Sequence, residues 1–187
     1  MCVGSIEMTP RAALLVGFAL YATSGHAQSI GRWSVEAGGG NYVDVLGLGV
    51  GTGDWIQGFI GKDWAWSVVG LGRAAYWRGN GSENRELFDL SAGPVARLER
   101  ALGSKLALYV DASIGIHLLS HTKINEDRQF STAFQFGEFL EMGVSFGAAR
   151  QYDVGLRVQH VSNGGIKNPN DGLTYGALVI QYRLAQR

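Results

Sequence analysis

The chain has 187 residues with sixteen acidic and sixteen basic side chains, a length that suits one domain or one closed barrel and leaves little room for two domains. The balanced charge gives no field to mark it for nucleic acid or an acidic partner. Glycine is the outlier, with 28 residues and only three prolines beside it; an average chain carries about 7% glycine, and this load suits curved sheets better than helices.

Residues 1–27 read as an export leader. Arg11 supplies the positive charge, "AALLVGFALYA" the apolar stretch, and "GHA" before Gln28 a small-residue cleavage site. Met8, just ahead of that charge, offers a second start. The apolar stretch is too short to cross a bilayer as a helix. Cys2, the one cysteine, falls in this leader, so the remaining domain, 28–187, has neither a thiol catalyst nor a disulfide. Export without disulfides points to the periplasm or the outer membrane.

From residue 34 onward no helical period stands out, and eight alternating stretches follow, near 34–40, 42–52, 64–78, 86–99, 104–119, 133–148, 152–163 and 173–184. Turn chemistry separates them, as in "GNGSEN" and "NPNDG". In the fifth stretch Leu106, Leu108, Val110, Ala112, Ile114, Ile116 and Leu118 share one face, and Tyr109, Asp111, Ser113 and His117 the other. The fourth and last sort the same way. Parity alone does not say which face is outside, because a soluble barrel would put its charges in water.

Strand length and aromatic placement favour the membrane. Stretches of roughly 12 to 16 residues exceed ordinary sheet strands and can cross a bilayer at a tilt. Trp64, Trp66, Tyr76 and Trp77 lie at the ends of the third stretch, where interface aromatics belong. The expectation is an all-β, eight-stranded antiparallel transmembrane barrel of the bacterial outer membrane. Its narrow lumen is then filled by Asp89, Arg97, Asp111, Glu141, Arg157 and Arg183 paired with one another, a plug and not a pore. His117 packs in that lumen, and His121 is a solvated loop residue.

If the apolar face meets lipid, the run "YDVGLRVQHVSN" carries His160 and Ser162 to lipid as well, and an ionisable group there is a functional hypothesis by default. Two residues apart on one strand, their Cα atoms are roughly 6.6 Å apart. Glu138 interrupts the apolar row of the sixth stretch. A tight hairpin at "AAR", with paired numbers summing to about 300, would set it opposite Ser162 and diagonal to His160. Acid, histidine and serine together are the makings of a hydrolytic triad. The following "SNGGI" offers Asn163, Gly164 and Gly165 as oxyanion donors, with Asn170 in the same loop. Strand-end polar residues that merely meet headgroups are the competing reading.

The motif "RVQHVSNGGIKNPNDG", with "FQFGEFLEMGVSFG" before it, resembles the lipid A 3-O-deacylase (PagL) family. The resemblance implies an eight-stranded outer-membrane barrel with a serine hydrolase site on its outer wall, cleaving the ester-linked 3-O acyl chain of lipid A, the lipid anchor of lipopolysaccharide. It implies His160 as general base, Ser162 as nucleophile, and Asn163 and Asn170 near the oxyanion site. It calls for no metal and no cofactor. Its partners are lipid A and outer-membrane lipids, not nucleic acid, and a homodimer is left open. One position departs: the family's glutamate two residues past the "NDG" glycine is Thr174 here. Glu138 is then the favoured orienting acid, with Asp171 or no acid as alternatives. A non-catalytic outer-membrane barrel with an adhesion or envelope role, and a soluble exported barrel with a lipid inside, are the other readings.

Overall fold

An alternating run such as "LALYVDASIGIHLL" stands as a strand when its two faces meet different media, and the computed structural model, which describes residues 30–184, shows which face meets which. Nine segments follow in order: β1 (Ile30–Gly39), β2 (Val43–Thr52), β3 (Ile56–Ile60), β4 (Trp64–Gly79), β5 (Glu86–Ala101), β6 (Leu106–Leu119), β7 (Phe134–Phe146), β8 (Tyr152–Ser162) and β9 (Leu173–Arg183). All pairings are antiparallel. β1 pairs with both β2 and β9, and β2 with β4, so the sheet closes on itself. β3 continues the line of β2 along the same neighbour: β4 takes β2 at 71–79 and β3 at 64–68. The two are halves of one stave, and the barrel has the eight staves expected from the sequence. The predicted leader, Cys2 included, lies outside the described residues.

Burial answers the question that parity left open. Ile114 is 72% exposed and Leu156 66%, whereas Asp89, Arg97, Asp111, Glu141 and Arg157 are at most 6% exposed. The charges line the lumen and the apolar rows face outward, as lipid requires; a soluble barrel has the reverse arrangement. Inside, the guanidiniums of Arg157, Arg97 and Arg73 each bridge two acids, and that of Arg32 reaches one, Asp54. Arg157 holds Glu36 at 3.0 Å and Glu141 at 2.9 Å, Arg97 holds Asp111 and Asp153 each at 2.7 Å, and Arg73 reaches Glu36 at 2.8 Å. His117 sets Nδ1 against both oxygens of Asp89, at 3.0 and 2.9 Å. These pairs offset the desolvation that burial imposes, so the loss of one member is costly for its partners.

Trp77 corrects the aromatic assignment. It points inward, fully buried, edge-on to Tyr175 with centroids 5.6 Å apart. The reason is its parity: Arg73, Ala75 and Trp77 are buried while Ala74 and Arg78 are exposed. At the end where β1 begins and β9 ends, Phe146, Tyr152 and Tyr182 form an aromatic belt, with successive centroids 5.7 and 5.4 Å apart.

Trp77 belongs to an apolar cluster that closes the other mouth of the lumen, together with Val43, Leu87, Ile124, Phe130, Val161 and Leu173. Ile124 and Phe130 come from the 120–133 loop, which folds over that mouth. Asn125 ties it down by donating to the carbonyls of Tyr42 (3.2 Å) and Asn80 (2.9 Å), and a bridge between Phe130 and Asn170 joins it to the 163–172 loop. The longer loops lie at this end, as on the outer side of such barrels. The loop that follows Ser162 is therefore held by a packed lid.

Candidate active site

β8 runs with even-numbered residues outward, and His160 and Ser162 end its outward row above Val158 and Leu156, both half-buried at the rim. The register places Glu138 of β7 directly opposite His160, and Phe136 opposite Ser162. The expected register was two residues off, because the connection between β7 and β8 is centred on Ala149 and turns through Gly147 (φ 104°) and Arg150 (φ 52°). Glu138 thus sits between Ile114 of β6 and His160, exposed on the outer wall. On the other side of His160, in the same row, stands Thr174 of β9.

It is Thr174 that takes the imidazole: Nδ1 and the Thr174 Oγ1 are 2.8 Å apart. In the tautomer a base needs, Nδ1–H donates to that hydroxyl and Nε2 is the lone-pair nitrogen. Gly172 closes the arrangement. At φ +61° it lies so near the pair that a Cβ there would come within 3.0 Å of His160 Cε1, 3.4 Å of Nε2 and 3.6 Å of Ser162 Cβ. Any side chain at 172 would wedge against both groups and would strain the left-handed backbone.

The loop after Ser162 is built around Asn163, which is fully buried. Its amide nitrogen donates to Ser131 Oγ at 2.9 Å and to the Lys167 carbonyl, and its Oδ1 accepts from the Gly165 N–H at 2.9 Å. Its own N–H donates to Asn170 Oδ1 at 3.0 Å. Asn163 and Gly165 therefore hold the loop's shape. Among the described hydrogen bonds, the Gly164 N–H and the Asn170 amide nitrogen are the donors left over beside Ser162. Asp171 is engaged elsewhere: its Oδ2 accepts from the Gln129 N–H at 3.2 Å.

Sequence reasoning missed Gly172 as part of the site, although a glycine ending a turn and opening a strand is a legible signal for a positive φ. It also missed Arg128 and Tyr42. These residues edge a groove of about 380 Å³ that begins at His160 and Thr174 and runs over β9 to β1. Among the described residues no cluster of His, Cys, Asp and Glu is arranged to hold a metal.

A closed eight-stave barrel with an apolar outer wall, a salt-bridged lumen and a histidine–serine pair on the lipid-facing rim defines a class, an outer-membrane barrel with a site on its outer wall. A family model described as Lipid A 3-O-deacylase (PagL) matches residues 45–183, and the chain belongs to that family. The chain is 28% identical over 175 residues to the lipid A deacylase PagL of Pseudomonas aeruginosa, covering 89% of this chain and 92% of that one. It is 34% identical over 111 residues to the lipid A deacylase PagL of Bordetella bronchiseptica, covering 59% and 58%. The crystal structure of the outer membrane enzyme PagL superposes with a TM-score of 0.72 at 25% identity, over 82% of this chain and 99% of that one.

Proposed function

We propose that this protein is an outer-membrane esterase that removes the 3-O-linked hydroxyacyl chain from lipid A, made with residues 1–27 as a removable leader. Ser162 attacks the ester carbonyl as its proton passes to His160 Nε2. The oxyanion accepts hydrogen bonds from the Gly164 N–H and the Asn170 amide. Collapse expels the sugar oxygen, which takes the proton back from Nε2, and water then releases the hydroxy acid and restores the Ser162 hydroxyl. Thr174 holds the ring in the tautomer this sequence of steps requires. Glu138, across the other strand, is the carboxylate nearest in register and contributes its charge to the imidazolium without a bond to it.

The observation that carries this reading is the rim geometry: Nδ1 is committed to Thr174, which directs Nε2 toward the Gly172 side, where Ser162 lies. The test is mass spectrometry of lipid A from cells expressing the chain. Loss of one 3-linked hydroxyacyl group, abolished by Ser162→Ala and by His160→Ala, is the expected result. Unchanged lipid A around a folded, inserted protein would sink the reading and leave a structural barrel.

A further inference from the structure

The groove beside His160 is asymmetric in a way the hydrolytic steps do not use. Its floor lacks side chains. Gly39 of β1 pairs with Gly176 of β9, which in turn pairs with Val158 of β8, so two glycines lie side by side on the outward row just below His160 and Thr174. Its edge carries one permanent cation, Arg128, from the 120–133 loop. That guanidinium lies over the Tyr42 ring, 4.0 Å from centroid to Cζ, and donates from Nη1 to the Asp171 carbonyl at 3.1 Å. Its Nε is buried with no partner. A half-buried guanidinium stacked on an aromatic ring at the groove's edge suits a contact to a phosphate. Asp171 also lines the groove, with one carboxylate oxygen engaged by the Gln129 N–H.

On the other flank of Ser162, Phe136 stands opposite it and packs edge-on against Phe134, with centroids 5.1 Å apart; further along the same row Glu138 separates this pair from Leu140. An acylated sugar laid across Ser162 has one orientation that matches both flanks. Its chain lies along the phenylalanine side, and its polar ring fills the glycine-floored groove.

Resting on the esterase reading for the identity of the ligand, we infer that this groove is the sugar subsite and that Arg128 reads a phosphate on that sugar. Arg128 is then a specificity-determining residue for phosphorylated over dephosphorylated substrate. Gly39 and Gly176 are the bare floor that lets the ring approach the strands.

Binding measured without turnover separates this inference from the esterase reading. In a Ser162→Ala background in detergent micelles, the probes are a 3-O-acylated glucosamine 1-phosphate and its dephosphorylated counterpart, titrated at equilibrium. The phosphorylated probe binds about tenfold tighter. Arg128→Gln erases that preference by weakening the phosphorylated probe more than the dephosphorylated one, and Arg128→Lys restores it in part. Gly176→Val weakens both probes, at a position where a Cβ meets nothing nearer than a carbonyl at 3.9 Å. Heat-modifiable mobility on gels checks that each variant is folded. The inference is overturned by equal affinity of the two probes, by an Arg128→Gln loss that is the same for both, or by undiminished binding to Gly176→Val. A protein that binds with this preference yet never releases hydroxy acid with Ser162 present would sink the esterase reading and leave the groove standing.

Discussion

Two strand histidines, His117 and His160, stand on opposite faces of the barrel wall, and they meet different partners. His117, in the lumen, is 3% exposed and faces both oxygens of Asp89, itself beside Arg73. His160, on the rim, is half-buried and bonded to the neutral hydroxyl of Thr174, with its other nitrogen on the side of Ser162 and Gly172. Each ring commits Nδ1 and has no hydrogen bond at Nε2 among the described residues; what separates them is the partner and the place, a carboxylate inside the salt-bridged lumen for His117 and a neutral hydroxyl beside Ser162 for His160. A buried charge requires pairing, whereas proton transfer needs a free nitrogen next to the nucleophile.

Substitutions can break this contrast. The largest expected effect is on turnover: Ser162→Ala or His160→Ala lowers deacylation on the order of 10⁴-fold, with unchanged unfolding in denaturant. A matched loss of stability in these variants would assign them to the scaffold. In the lumen the order inverts. Arg97→Met leaves Asp111 uncompensated and removes one cation from Asp153, which costs about 3–5 kcal/mol of stability, while the molecules that fold keep their activity per site. Equilibrium unfolding paired with an active-site-normalised rate measures both.

Smaller effects sharpen the rim side. Thr174→Val removes the bond to Nδ1 and lowers kcat about tenfold. Thr174→Glu puts a carboxylate in its place and raises kcat above the parent. Glu138→Gln lowers kcat about two- to threefold, since an exposed charge near headgroups is well screened. A greater loss for Glu138→Gln than for Thr174→Val would make Glu138 the orienting residue.

The smallest effect lies in the loops. Glu83 and Lys123 link the 80–85 and 120–133 loops at 2.6 Å. The hydrogen bond from Lys123 and its charge hold the Glu83 carboxyl below its ordinary value. A depressed acid lends its stabilisation above the ordinary carboxylate range and loses it as pH falls through the lowered value. Amide exchange of the two loops should quicken in acid, and Glu83→Gln should remove that dependence.

The two faces were legible in the sequence because alternation is local: each strand reports its own parity, and His160 and Ser162 stand on the row where Val154, Leu156 and Val158 put them. What crosses between strands was less legible. The β7–β8 register depends on how the "GAARQ" connection turns, and no pattern within either strand reports that, so Glu138 was expected opposite Ser162 and stands opposite His160. β3 escaped notice because "IQGFI" is five residues long and does not alternate. Trp77 was misplaced because position at a strand end was weighed above parity. The role of Asn163 could be anticipated only as a polar residue near Ser162, since its partners Ser131 and Lys167 come from loops whose paths are set by packing over the mouth.

The filled lumen has a kinetic consequence. With salt bridges at its middle and an apolar lid at its mouth, the cylinder offers no route through itself, so reactants come and go sideways within the leaflet. The relevant concentration for such a catalyst is molecules per unit area, and diluting the substrate lipid with inert amphiphile at constant bulk amount should slow it as surely as removing the substrate.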